Sequence, residues 1–256
     1  MAEPRADVSL VAGGQFHDFD YARLELLGLL AEQPRIRTRV ASDYRDLDGL
    51  LASELLVTYT CNLVPDEPGQ HALRAWVEAG GRWLALHGTN SILEFGPRGV
   101  VCPDAAPLFM DTLGSQFVAH PPIAPFTVEV SDPGHELVAG LEPFETDDEL
   151  YLSRLHGELH VLLHTRFAGR AAGFVASDWP DDAPRPVYYL RRLGRGEVLY
   201  LTLGHCRGHW DMQPLADWYP RVERGSWALP VYRELLRRAI RWCLAPRDGQ
   251  PAAARG

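Results

Sequence analysis

Apolar residues in the first half of the chain come in short runs broken by turn residues. Residues 7–12 (DVSLVA), 36–41, 55–60 (LLVTYT) and 83–86 (WLAL) each read as strands. Helical periodicity fills the gaps. Over residues 20–32, Leu24, Leu27 and Ala31 fall on one stripe, Asp20 can cap the start and Pro34 lies beyond the end. Over residues 68–79, Leu73, Trp76 and Val77 share a side, and Gly80 follows the C-terminus. This alternation predicts an α/β fold with a doubly wound, mainly parallel sheet.

The rhythm then changes. Residues 126–130 alternate apolar and polar, as a half-buried strand does. Strand-like runs follow at 160–165, 171–176, 186–191 and 197–203, and their short links predict hairpins that extend the sheet antiparallel. Residues 97–107 and 179–186 read as loops. The last helix, 230–243, gathers Val231, Leu235, Leu236, Ala239 and Ile240 on one face. One domain is expected over 1–245, with the Pro-, Gly- and Ala-rich residues 246–256 as a disordered tail.

Composition narrows the function. The net charge is −9 and no basic run occurs, so nucleic-acid binding is disfavoured. The four cysteines show no CxxC pair, and no apolar stretch approaches the ~20 residues of a membrane span. No secretory apolar region follows Met1. A cytoplasmic protein with reduced thiols is expected. The absence of GxGxxG argues against a nucleotide cofactor, and the absence of GxSxG against a serine hydrolase.

Candidate chemistry lies where strands should end, because open α/β sheets bind ligands there. Gly13-Gly14 precedes His17 and Asp18; the pair could cradle an anion, or Asp18 could simply cap a helix. His87 opens the turn His87-Gly88-Thr89-Asn90 directly after a buried strand. His205-Cys206-Arg207-Gly208-His209-Trp210 follows a later one. Its HxxxH spacing would suit a metal on a helix, but Gly204 and Gly208 favour a loop, so His205 is the stronger candidate and Cys206 reads as structural. In Thr146-Asp147-Asp148-Glu149-Leu150-Tyr151, three carboxylates in a row usually face solvent. Glu149 and Tyr151 would nevertheless share a face if extended. His120 precedes Pro121-Pro122, which could present it rigidly. The other histidines read as surface, turn or strand residues.

Taken in order, VAGGQFHD, AGGRWLALHG, GSQFVAHP, SDPGHELVAGLEPFETDDELY and LGRGEVLYLTLGHCRGHW resemble the trehalose-utilisation (ThuA-like) family, whose fold is similar to class I glutamine amidotransferases. The resemblance implies that His87 stands at the amidotransferase nucleophile elbow in place of cysteine. His205 and Arg207 then stand where a His-x-Glu pair would be, so glutaminase activity is not expected. It further implies a role in using disaccharide-derived sugars or keto-sugars, with a functional link to a sugar dehydrogenase. The reaction is left open between isomerase, lyase and hydrolase. His87, His205 and Glu149 are the expected catalytic groups. His17, Asp18, Asn90, His120, Tyr151, His209 and Trp210 are expected to bind substrate. A divalent metal, zinc or similar, would be held by His87 and His205 with His17 or His120. The alternative is a non-catalytic sugar-binding or regulatory protein. A homodimer is compatible with the fold, although no interface is legible.

Overall fold

The structure, a computed structural model, describes residues 4–246. Strands β1 (Ala6–Gly14), β2 (Ile36–Ala41), β3 (Leu55–Cys61) and β4 (Arg82–Leu86) alternate with helices α1 (Phe19–Ala31), α2 (Leu47–Leu51) and α3 (Glu67–Glu78). Next come a small hairpin of β5 (Glu94–Gly96) and β6 (Gly99–Val101), helix α4 (Pro107–Leu113), and strands β7 (Ser115–Ala119) and β8 (Ala124–Val130). Then follow β9 (Phe144–Asp148), β10 (Leu152–Leu155), β11 (His160–Arg170), β12 (Asp178–Leu193), β13 (Gly196–Leu201) and helix α5 (Pro230–Leu244).

The main sheet runs β2-β1-β3-β4-β13-β12-β11-β8-β9. Its first five strands are parallel, in the flavodoxin-like order, and the rest extend it antiparallel. The expected mixed α/β architecture is therefore present. Period-two alternation builds both cores. Val8 and Leu10, Val57 and Tyr59, Leu84 and Leu86, and Leu199 and Leu201 face α1 and α5. Val11, Leu56, Trp83, Ala85, Val198 and Tyr200 face α3 and α4. Covering both faces leaves the carboxyl ends of the parallel strands as the open rim. No helix among the described residues is long and apolar enough to cross a membrane.

Four expectations need correction. Helix α1 is capped by Asp18, not Asp20, and it buries Ala22, Leu26, Leu29 and Leu30. Two leucine stripes overlap in that sequence, and the sheet takes this one; Leu24 is 68% exposed. Residues 171–176 form the turn between β11 and β12, not a strand. Residues 179–186 are the first half of β12 rather than a loop, with Trp179 opposite Gly169 and Pro184 opposite Arg166. That half pairs with β11 alone, because β13 begins its pairing at Tyr188, so its prolines interrupt no second ladder. Of the expected tail, residues 247–256 lie outside the described residues.

Candidate active site

Three strand ends aim histidines at one point. Gly14, at φ +126°, lies so close to β3 that a Cβ would sit 1.9 Å from the Cys61 carbonyl oxygen. The glycine pair thus serves strand packing, Gly13 likewise lying where a Cβ would meet Ser42 O at 2.1 Å. Phe16 then turns the chain at φ +72°, and His17 enters the rim. His87 adopts φ +44°, and a Cβ on Gly88 would stand 2.7 Å from Thr60 O. The Tyr200 hydroxyl holds this elbow by donating to His87 O and accepting from Asn90 N. Such left-handed backbone at a non-glycine persists only where its surroundings fix it. His205 arrives after β13, and Glu149 directly after β9.

The second nitrogen of each imidazole settles its tautomer. His17 Nδ1 donates to Gln15 O at 3.3 Å and His87 Nδ1 to Thr202 O at 2.8 Å, because a carbonyl can only accept. His205 Nε2 donates to the Glu223 carboxylate at 2.8 Å. That leaves lone pairs on His17 Nε2, His87 Nε2 and His205 Nδ1. The first two face each other at 2.9 Å. His205 Nδ1 lies 3.2 Å from Glu149 Oε1 without making a hydrogen bond. Glu149 Oε2 is 3.5 Å from His87 Nε2. All four donor atoms lie within 4.8 Å of one another, in four buried residues. Electron pairs converging in a buried place repel unless something positive sits among them. Ligands of a tetrahedral zinc-like ion stand about 3.4 Å apart. The spacings bracket that value, so the residues fit such an ion.

Burial holds the His17 and His87 imidazoles below their ordinary range, with His87 brought down to about 4. Burial alone would raise the Glu149 carboxyl, but His205, His120, His87 and Arg207 hold it well below the carboxylate range. The His17 and His87 imidazoles are thus neutral and Glu149 is a carboxylate at neutral pH. In the metal-free protein this has an acid cost. Above pH 6.5 neither state protonates His87. From 6.5 down to about 4 the unfolded chain takes up a proton that the folded chain refuses. The melting temperature of the metal-free protein should therefore fall across that window. In His87→Gln the slope should be shallower, as thermal melts at stepped pH would record; an identical slope would show that His87 titrates normally.

Two supporting carboxylates escaped the sequence reading. Asp148 belongs to an acidic run of the kind that usually faces solvent, yet it is buried. It accepts from the backbone N–H groups of Glu149, Gly204, His205 and Ser226 and from the Ser226 hydroxyl. It thereby fixes two of the four converging residues. Glu223 accepts from His205 Nε2, from Arg207 at 3.1 Å and from the Tyr219 hydroxyl at 2.9 Å. The carboxylate partner of His205, missing at position 207, is thus supplied from position 223. The elbow still carries His87, so no thiolate faces this pair. Glu223→Gln should weaken the hold on an ion taken up at these four donor atoms by roughly 10–100-fold, as losing an outer carboxylate partner typically does. Chelator competition measures this, and unchanged affinity would remove Glu223 from the site.

The remaining candidates divide. Tyr151 and His120 line a cavity of about 210 Å³ beside His17, Glu149 and Arg207. The Tyr151 hydroxyl is 3.3 Å from His87 Nε2. His120 lies outside the converging four. Its Nδ1 donates to Pro121 O, and its Nε2 is 3.6 Å from Glu149 Oε1. Asp18 caps α1 and pairs with Arg224 at 3.1 Å. Asn90 is buried and donates to Ser115. His209 stacks on Trp218, and Trp210 is 63% exposed; neither lines the cavity. The 205–209 spacing fails as a ligand pair because the segment is not helical. Cys206 is buried against Tyr59, and burial pushes its thiol up to about 12.

The sequence model of one family, described as ThuA, trehalose utilisation, matches residues 10–218. The chain belongs to the ThuA family. A ThuA-like protein from Bacteroides uniformis ATCC 8492 is 17% identical with a TM-score of 0.63, over 95% of this chain and 93% of that one. Another from Parabacteroides merdae ATCC 43184 is 15% identical with a TM-score of 0.60, over 98% and 93%. A cold-adapted β-galactosidase from Rahnella sp. R3 is 15% identical with a TM-score of 0.56, over 94% of this chain but 31% of that one. These likenesses show the fold of the ThuA chain. No curated protein matches its sequence.

Proposed function

We propose that this protein is a metal-dependent enzyme acting on a sugar or keto-sugar. The observation that carries the reading is the convergence of three imidazole lone pairs and the Glu149 carboxylate, each imidazole locked by its other nitrogen. His17, His87, His205 and Glu149 would hold a zinc-like divalent ion. Bound there, it would supply Lewis-acid polarisation of a carbonyl oxygen. The sugar assignment comes from the family's description as trehalose utilisation.

The chain's own groups suit chemistry beside a carbonyl. The Tyr151 hydroxyl, 3.3 Å from His87 Nε2, would donate to a substrate oxygen there. His120 Nε2 is the basic nitrogen on the wall outside the ligand set, and it would take a proton from the acidic C–H next to the carbonyl. Arg207, fixed by Phe16 O and Glu223, braces Glu149 at 3.7 Å. Proton transfer at that carbon leads to isomerisation or elimination. Elemental analysis should find about one divalent ion per chain after metal loading, and a cobalt(II)-substituted form should give the absorption of a low-coordinate nitrogen and oxygen site. A protein that takes up no ion at micromolar metal would overturn the reading.

A further inference from the structure

The cavity beside the four converging residues has a size, a roof and a charge balance that restrict what it can hold. We propose that it takes an uncharged ligand of single-ring size with an apolar face, and that it rejects both phosphorylated and two-ring compounds. This names the substrate class of the same site, and so rests on the carbohydrate reading above.

Size comes first. The volume of about 210 Å³ lies below the roughly 300–1,000 Å³ of sites that enclose larger, drug-sized molecules. The limit is set by backbone on one side and by the Phe174 ring. The β5–β6 hairpin and the turn between β11 and β12 are stapled together over the cavity: Val100 N donates to Gly173 O at 2.8 Å, and Val175 N to Val100 O at 2.9 Å. Gly99 sits so near that a Cβ there would come within 2.5 Å of Gly173 O. A side-chain rotation cannot lift such a roof.

The walls come second. Phe95, Phe117, Phe174, Val100 and Met212 line the space. Phe117 and Phe174 meet edge-to-face at 5.8 Å, offering aromatic surface to the C–H face of a saturated ring. The polar groups sit against these rings: Tyr151 packs on Phe117 at 4.5 Å and His120 on Phe174 at 5.0 Å, with Glu149 on the same lining.

Charge comes third. Among the described residues lining the cavity, Arg207 is the one guanidinium, and the chain contains no lysine. Arg207 is already committed to Phe16 O, Glu223 and Glu149. With the sugar's own oxygen on the ion that the four converging residues would hold, a phosphate dianion elsewhere on the ring would have to desolvate against Phe side chains and the Glu149 carboxylate with no unpaired cationic side chain to meet it.

Calorimetry on the metal-loaded protein tests this with 3-keto-D-glucose, D-glucose, D-glucose 6-phosphate and trehalose. The better of the two uncharged monosaccharides should bind at least tenfold more tightly than the phosphate or trehalose. Val100→Trp, which fills the space under the roof, should lose that binding tenfold or more with metal content unchanged. Phe174→Ala, which opens it, should admit trehalose. Equal binding of D-glucose 6-phosphate or trehalose to the parent protein, no binding of any probe, or full binding in Val100→Trp would each overturn the proposal. Metal content in the same samples separates the two readings. A metal-free protein that still selects the uncharged ring refutes the metal reading and supports this one.

Discussion

Replacing His87 by alanine should abolish metal binding at the site and, with it, turnover of a 3-keto-monosaccharide. His87 supplies one of four converging donor atoms, its Nε2 2.9 Å from His17 Nε2. Losing an outer partner of a ligand costs roughly 10–100-fold in affinity, so losing the ligand itself should exceed that. Turnover should fall below about 1% of the parent, because no other residue on the wall replaces the missing Lewis-acid support. The variant should remain folded. The deletion removes one buried side chain and its bond to Thr202 O, a loss of about 1–3 kcal/mol. Circular dichroism, elemental analysis and product detection on one preparation check all three points. A folded variant that keeps its ion and its turnover would remove His87 from the chemistry.

The second large effect belongs to a residue outside the four converging donors. Asp148→Ala should lower stability by about 3–5 kcal/mol, because buried donors then lose their charged acceptor. Those donors are the N–H groups of Glu149, Gly204, His205 and Ser226 and the Ser226 hydroxyl. For a chain of this length that corresponds to a melting-temperature drop of roughly 10 °C. Metal affinity should fall as well, since Glu149 and His205 lose the anchor that fixes their backbones. Asp148→Asn keeps one acceptor oxygen and should lie between the two on both measures. A shift of less than about 2 °C in Asp148→Ala would mean that water replaces the carboxylate without loss.

Much of the fold was legible because buried parallel strands announce themselves as apolar runs. Strand β2 falls at the expected residues, and β1 and β3 run slightly past theirs. The histidines at 17, 87 and 205 were legible for a related reason, since doubly wound sheets present their strand ends to one crevice. Position within the rim was less so. His120, one residue past β7, reaches the wall but not the converging set. Asp148 was hidden by its neighbours: in a run of three acids, only the alternation Thr146 in, Asp147 out, Asp148 in marks Asp148 as buried. Glu223 left no signal. It reaches His205 from a stretch without helical or strand periodicity, joined to Arg207 by a single antiparallel bridge.

The four donor atoms belong to residues 17, 87, 149 and 205, spread across most of the chain. None of them is near another in the unfolded polypeptide, so an ion bound there acts as a clasp between the amino-terminal strands and the late ones. Its binding energy is then folding energy: at an ion concentration a hundred times the dissociation constant, the native state gains about 2.7 kcal/mol. Chelation would accordingly loosen the whole sheet, not only the rim, and the supply of the ion would govern how long the protein lasts as well as how fast it works.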